Sequence, residues 1–246
     1  VLGYVNAFQN LFFGKFFKKE TMTKTYNEIM NVRLIGYTQP VEDLEEDIND
    51  VQELIAFCAK VSNPQLQDDF SRSERLLNYL IKHKHWSPFE MASATMEVST
   101  TRDIARQFLR HRSFSFQEFS QRYANPAEMG DMFVLREARL QDLKNRQNSI
   151  EIHDEALQAA WNAKQLKAIE AARKAYNWAI KKGIAKEQAR VVLPEGNTIS
   201  KLYVQGTIRS WIHYIELRSA NGTQREHMAL AVACAEAITK IFPMIT

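Results

Sequence analysis

Cysteine is nearly absent: the 246 residues hold two, Cys58 and Cys234. That excludes a disulfide framework and, with no CxxC or Cys/His cluster, it argues against a zinc site. Both lie in apolar, helix-like runs, LIAFCAKV and LAVACAEA, where a free cysteine is expected as a small core residue in a reducing cytoplasm. An excess of one charge is also missing. The 32 basic and 29 acidic residues leave a formal +3, too little to indicate a nucleic-acid partner from charge alone. No apolar run is long enough to span a bilayer: VLGYVNAFQNLFFGKFFKKE is short and interrupted, so no membrane partner is expected. It also lacks the basic start and small-residue cleavage site of a secretory signal. Residues 1–29 are read as an N-terminal extension or expression remnant, with an interfacial amphipathic helix as the alternative. MNVRLIGYTQP, from Met30, reads as a natural first strand. A glycine-rich strand–turn–helix fingerprint is missing too, so any dinucleotide needs another grip.

What remains is ordinary globular composition, 45% hydrophobic and 25% charged, in a chain long enough to bury about 70% of its unfolded surface in one domain, here 30–246. Acid clusters in EDLEEDIND (Glu42 to Asp50) and base between Arg102 and Arg122. Periodicity predicts helices over Leu44–Val61, Ser73–His83, Arg102–Arg110, Ile152–Lys182, Ala185–Leu193, Ile208–Arg218 and Gln224–Phe242. Strands are predicted over Val32–Tyr37, Met91–Thr100, Met132–Leu140 and Thr198–Gln205. The strands do not alternate regularly with the helices, so the fold class is α+β: helix-rich, with a small, mostly antiparallel sheet. The aromatic and alanine-rich stretch from Trp161 to Trp178 reads as packing, including packing between subunits. His83, His153 and His227 are read as structural.

One stretch resists a purely structural reading. RHRSFSFQEFSQRY (Arg110 to Tyr123) mixes three arginines, a histidine and a glutamate with three phenylalanines. On a helix, Gln107, Arg110 and His111 share one face at i, i+3 and i+4. In extended chain Glu118, Ser120 and Arg122 point the same way. Guanidinium groups suit phosphate, glutamine and serine suit an amide-like edge, and the phenylalanines suit a slot for a flat ring. A phosphorylated heterocycle meets all of these needs. A solvated or salt-bridged basic surface and a nucleic-acid-binding module are the rival readings.

The pattern RHRxxSxxExSxRY, with Arg110-His111-Arg112 seven residues before Ser120, resembles the signature of flavin-dependent thymidylate synthases. AKVSNP (Ala59 to Pro64), HWSPFE (His85 to Glu90), ARQFLRHR (Ala105 to Arg112), ARVVLP (Ala189 to Pro194) and IRSWIHYIELR (Ile208 to Arg218) are similar as well, and in the family's order. The resemblance covers about Met30 to Phe242. It implies conversion of dUMP to dTMP, with methylenetetrahydrofolate supplying the carbon, and FAD, reduced by NADPH, supplying the hydride. It also implies a homotetramer with active sites where subunits meet.

For dUMP the resemblance implies Gln107, Arg110, Glu118, Ser120, Gln121, Arg122, Arg190 and Arg218. Arg218 would polarise the uracil. Ser120 would orient the base, since a serine without a neighbouring base is a poor nucleophile. For FAD it implies Ser62, Ser87, Glu90, Arg110, His111, Arg112, Glu118, Thr207, Arg209 and His213. His85 would stand near the folate and flavin rings, joining Arg218 and Ser120 as a catalytic candidate. Gln117, Thr207 and His213 each replace an expected asparagine, and Ser87 replaces a threonine. The cysteines lack the basic neighbours that a thiolate-dependent synthase needs. Helical spacing puts Arg209, His213 and Glu216 on one face and Arg218 on the other, beside Trp211 and Ile215.

Overall fold

A computed structural model describes residues 23–42, 48–126 and 132–245. The readings of residues 1–22 and of most of the acidic cluster lie outside the described residues. The elements in chain order are α1 (Tyr26–Ile29), β1 (Asn31–Tyr37), α2 (Val51–Ala59), α3 (Ser73–Lys82), β2 (Ser93–Thr101), α4 (Arg102–Phe108) and β3 (Ser115–Glu118). Then come β4 (Arg139–Gln141), β5 (Ser149–Glu151), α5 (Glu155–Lys181), α6 (Lys186–Ala189), β6 (Ile199–Thr207), α7 (Ile208–Ser219) and α8 (Arg225–Thr239). The α+β expectation holds.

The main sheet has the order β1-β2-β6-β3, with every pairing antiparallel. Alternation puts Ala94, Met96 and Val98 of β2 and Leu202 and Val204 of β6 on one buried face. Against that face pack Ile55, Leu77, Phe89, Phe108, Trp211, Tyr214, Leu230, Cys234 and Ile238, so helices α2, α3, α4, α7 and α8 share one core with the sheet. A second, smaller core joins Met132 and Phe133 to Ile169, Tyr176 and Ala179 of α5.

The strand pairing positions the site. β2 runs straight into α4 and β6 straight into α7. Thr101 opposes Ile199 and Ser93 opposes Thr207, so the two helices leave the antiparallel pair at opposite ends. They come together where Phe108 stacks on Tyr214, with ring centroids 4.4 Å apart.

Several boundaries differ from expectation. The first part of the helix predicted from Leu44 lies outside the described residues; α2 begins at Val51, where the Asp50 carboxylate accepts from the backbone N–H groups of Gln52 and Glu53 and caps it. The strand predicted over Met132–Leu140 is reduced to bridges at Phe133 and Leu135 and the short β4, paired with β5. Packing also reaches ahead of the expected boundary at residue 30. Tyr26 is buried, and its hydroxyl lies 2.9 Å from Thr100 Oγ1 and donates to the Glu226 carbonyl at 3.0 Å.

Candidate active site

Phe108, at the end of α4, anchors the basic stretch. Besides stacking on Tyr214 it meets Phe114, Phe116 and Trp211 edge-on. Phe114 is buried over Gly206, where a Cβ would come within 2.4 Å of its ring. The glycine is required because the ring lies directly on the strand. Phe114 and Phe116 therefore belong to the core rather than lining a slot for a flat ring, which corrects the sequence expectation. The Phe114 and Phe116 rings fasten the stretch to the sheet, and Arg110, Arg112 and Arg122 are displayed.

Helix α4 ends at Phe108 and not at Arg110, so Gln107, Arg110 and His111 are brought together by a turn. The N–H groups of Arg110 and His111 donate to the Gln107 and Phe108 carbonyls. His111 faces α7, where Arg218 Nε donates to its Nε2 at 2.9 Å. A ring nitrogen that accepts is unprotonated. Burial, then the Arg218 charge, lowers the His111 pKa to about 4. Arg218 thus spends Nε on His111 and keeps its Nη groups. Arg110 and Arg112 are exposed and form no ion pair among the described residues. Gln107 turns inward: its Nε2 donates to Gln224 Oε1 at 2.7 Å, and its Oε1 lies 3.2 Å from His227 Nδ1.

The second half of the stretch departs from the extended reading. β3 ends at Glu118, and residues 120–124 form a turn in which the Tyr123 and Ala124 N–H groups donate to the Ser120 carbonyl. Glu118, Ser120 and Arg122 therefore do not share a strand face. Glu118 is turned in and accepts from Ser200 Oγ at 2.8 Å and Arg102 Nη1 at 3.3 Å. Ser120 Oγ accepts from the Arg122 N–H at 3.4 Å. Gln121 is buried, and its Nε2 finds no partner among the described residues. The turn docks on the segment that carries Arg190: Arg122 lies 3.6 Å from Glu187, and Lys186 Nζ donates to the Tyr123 carbonyl at 2.7 Å.

A neighbouring group forms where the 3-10 turn Ser87–Glu90 packs on the first turns of α7. Arg209 pairs with Glu90, and the His213 ring meets Trp86 edge-on at 4.6 Å. Thr207 caps α7, its hydroxyl accepting from the Ser210 N–H at 3.2 Å, so its first task is structural. His85 is exposed beside Tyr79 and His83. Ser62 lies exposed in the turn after α2. As spacing predicted, one helix serves two sides: Arg209 and His213 face the 87–90 turn, while Arg218 faces His111, with Trp211 and Ile215 buried. The cationic and N–H donors of Arg110, Arg112, Arg209 and His213 suit an anionic, phosphate-bearing cofactor. Among the described residues, no His/Cys/Asp/Glu group could hold a metal ion.

A family profile described as thymidylate synthase complementing protein matches residues 43–244. The chain is 51% identical to a probable flavin-dependent thymidylate synthase of Paramecium bursaria Chlorella virus 1, over 88% of this chain and 97% of that one. This chain belongs to the flavin-dependent thymidylate synthase family. It is 44% identical to the flavin-dependent thymidylate synthase of Synechocystis sp. strain PCC 6803, with the same coverage. Among solved structures it resembles the UMP/dUMP methylase PolB of Streptomyces cacaoi bound with 5-Br dUMP. That similarity has a TM-score of 0.75 and 25% identity, over 91% of this chain and 94% of that one.

Sequence reasoning missed the residues that hold this candidate site from behind. Arg102 is buried against Glu118, and Arg106 lies 3.6 Å from the same carboxylate. Their i, i+4 spacing on α4 was a visible signal. Gln224 and Glu226 carried none, because the partners that tie them to the rest of the fold, Gln107 and Arg139, are over 80 residues away. His227, read as structural, is fully buried beside the site, and burial, with Arg218 and His111 adding, lowers its pKa to about 3.

Proposed function

We propose that this chain catalyses the reductive methylation of dUMP to dTMP, with methylenetetrahydrofolate as carbon donor, FAD as redox cofactor and NADPH as reductant. The carrying observation is Arg218, held through Nε by a neutral His111 beside the exposed Arg110 and Arg112. A guanidinium fixed at one edge offers its Nη donors to a carbonyl of the pyrimidine, where it would stabilise charge developing as N3 ionises. Arg110, Arg122 and Arg190 are assigned to the phosphate side of dUMP, with Gln107, Glu118, Ser120 and Gln121 completing the contacts. Ser120 Oγ has no base beside it and accepts from a backbone N–H, which suits orienting the uracil rather than attacking it. FAD is assigned to Ser62, Ser87, Glu90, Arg110, His111, Arg112, Glu118, Thr207, Arg209 and His213, and the folate ring to the side of His85. The hydride the reaction requires comes from FAD reduced by NADPH.

The cysteines support the flavin route over a thiolate route. Burial pushes the Cys58 thiol up and the fully buried Cys234 thiol far up, so neither is poised as a nucleophile. Both are free, in keeping with a cytoplasmic enzyme. A homotetramer is the proposed assembly: Arg110 and Arg112 stand exposed in the single chain, and Trp161 and Trp178 of α5 are 42% and 58% exposed. Residues 1–29 are assigned to an N-terminal extension, of which Tyr26 packs on the domain.

Visible absorption of the purified protein tests the reading. Added FAD should give a bound-flavin spectrum that bleaches with NADPH under anaerobic conditions, changes band shape with dUMP and supports dTMP formation with the folate. A protein that cannot be loaded with flavin, or that makes dTMP without it, would overturn the proposal.

A further inference from the structure

A side-chain amide can be built into a hydrogen-bonded chain either way round, and which way decides where it donates and where it accepts. At Gln107 the choice is made elsewhere. Gln224 Nε2 donates to Glu226 Oε2 at 3.1 Å, Gln107 Nε2 donates to Gln224 Oε1 at 2.7 Å, and Gln107 Oε1 faces His227 Nδ1 at 3.2 Å. Glu226 is the one member with a fixed polarity. Arg139 Nη2 donates to its Oε1 at 2.6 Å, and Arg136 Nη1 lies 3.3 Å from the same oxygen. Burial raises the Glu226 carboxyl, but the two guanidinium groups outweigh it and hold it below its usual range.

An ionised carboxylate only accepts, so Gln224 must turn its NH2 toward it. That leaves the Gln224 carbonyl to meet Gln107, so Gln107 must also donate there. Its own carbonyl is left for His227, whose Nδ1 must then carry the proton. Reversing both glutamines together would still set a carbonyl against the carboxylate. Only His227, which can shift its proton between its two nitrogens, adapts. Its Nε2 is buried without a hydrogen-bond partner among the described residues, as a nitrogen relieved of its proton can be.

We infer that Glu226 and Gln224 are positioning residues: they fix the Gln107 amide so that one N–H and one carbonyl lone pair, each in a set place, remain for the nucleotide. This rests on the reading that Gln107 touches dUMP. It gives Glu226, which lies away from the basic stretch, a part in substrate recognition.

Removing Glu226 would strand two arginines and endanger folding, so the test uses Gln224→Met, of similar length and without polar ends. Three quantities are measured: the His227 tautomer by 15N NMR of histidine-labelled protein, steady-state kinetics, and FAD affinity. The wild type should show His227 neutral and protonated at Nδ1. Gln224→Met should give a mixture of tautomers and raise KM for dUMP about 3- to 10-fold, the worth of one hydrogen bond, with kcat changed less than about twofold and FAD affinity unaltered. Protonation at Nε2 in the wild type overturns the inference. So does a Gln224→Met enzyme with an unchanged KM for dUMP, whatever its tautomer. Gln107→Ala separates the two levels: if it leaves KM for dUMP untouched, the assignment of Gln107 to the nucleotide fails, while the tautomer still reports on the chain of amides.

Discussion

His111 and His227 sit with ring centroids 6.3 Å apart, and both are kept neutral. The leading causes are shared, burial first and then the positive charge of Arg218, with His111 adding at His227. Their folded pKa values, about 4 and about 3, lie below the roughly 6.5 of an unfolded histidine. As pH falls below about 6.5 the unfolded chain takes up protons that the folded chain refuses, so the stability present at neutral pH declines. The loss continues until the folded histidines titrate, near pH 4 for His111 and near pH 3 for His227. Urea midpoints should therefore fall between pH 6.5 and 4. His227→Asn, whose amide nitrogen can replace Nδ1 as donor, should shed one proton's worth of that slope, about 1.4 kcal/mol per pH unit. An equal slope in the variant would show that His227 is not held neutral by the fold. At this scale the sequence displayed the types and order of Arg110, His111, Glu118, Ser120 and Arg218. The pairing of His111 with Arg218 was hidden, because 107 positions separate them and the pairing of β2 and β3 with β6 brings them together.

Helix α3 shows what an element costs when sequence and geometry disagree. It ends in a Schellman motif: the His85 N–H donates to the Leu80 carbonyl at 2.8 Å and the Lys84 N–H to the Ile81 carbonyl at 3.0 Å. The motif needs a left-handed residue at Lys84, whose φ is 58°. Glycine takes that conformation freely and lysine does not. Lys84→Gly should stabilise the protein by about 1 kcal/mol, read as a raised urea midpoint, because relief of strain outweighs the added freedom of the unfolded chain. A lowered midpoint would mean that the lysine side chain contributes more than its backbone costs. Long periodic helices such as α5 and α8 were legible, and so were the four-strand sheet's β1, β2 and β6. The β4–β5 hairpin was not, since three residues per strand carry no period. The turn after Glu118 was missed for a different reason: Ser120 bends the chain through backbone bonds, and alternation of side chains cannot report that.

At the scale of the whole molecule, the residues assigned to dUMP fall into two groups, with no hydrogen bond or ion pair between them among the described residues. Arg218 sits with His111, Gln107 and the α7–α8 turn, whereas Arg122 and Arg190 sit with the segment around Glu187. Arg110 and Arg112 beside the first group and Arg122 in the second are exposed, and we propose that a phosphorylated ligand needing both groups is enclosed with help from another chain. Such an arrangement leaves no trace in a single sequence, because residues that meet across a symmetry axis have no spacing to read. A second copy is the proposed source, since self-association places the same two surfaces opposite each other. Subunit mixing tests this. Arg218→Ala and Arg122→Ala, each expected to be nearly inactive alone, are co-expressed with different tags and purified as mixed oligomers. If each site takes Arg218 from one subunit and Arg122 from another, random mixing leaves about a quarter of the sites fully wild type, and dTMP formation should recover toward that fraction. If both arginines serve the same site from one chain, every site lacks one of them, and the mixed oligomers stay as inactive as their parents.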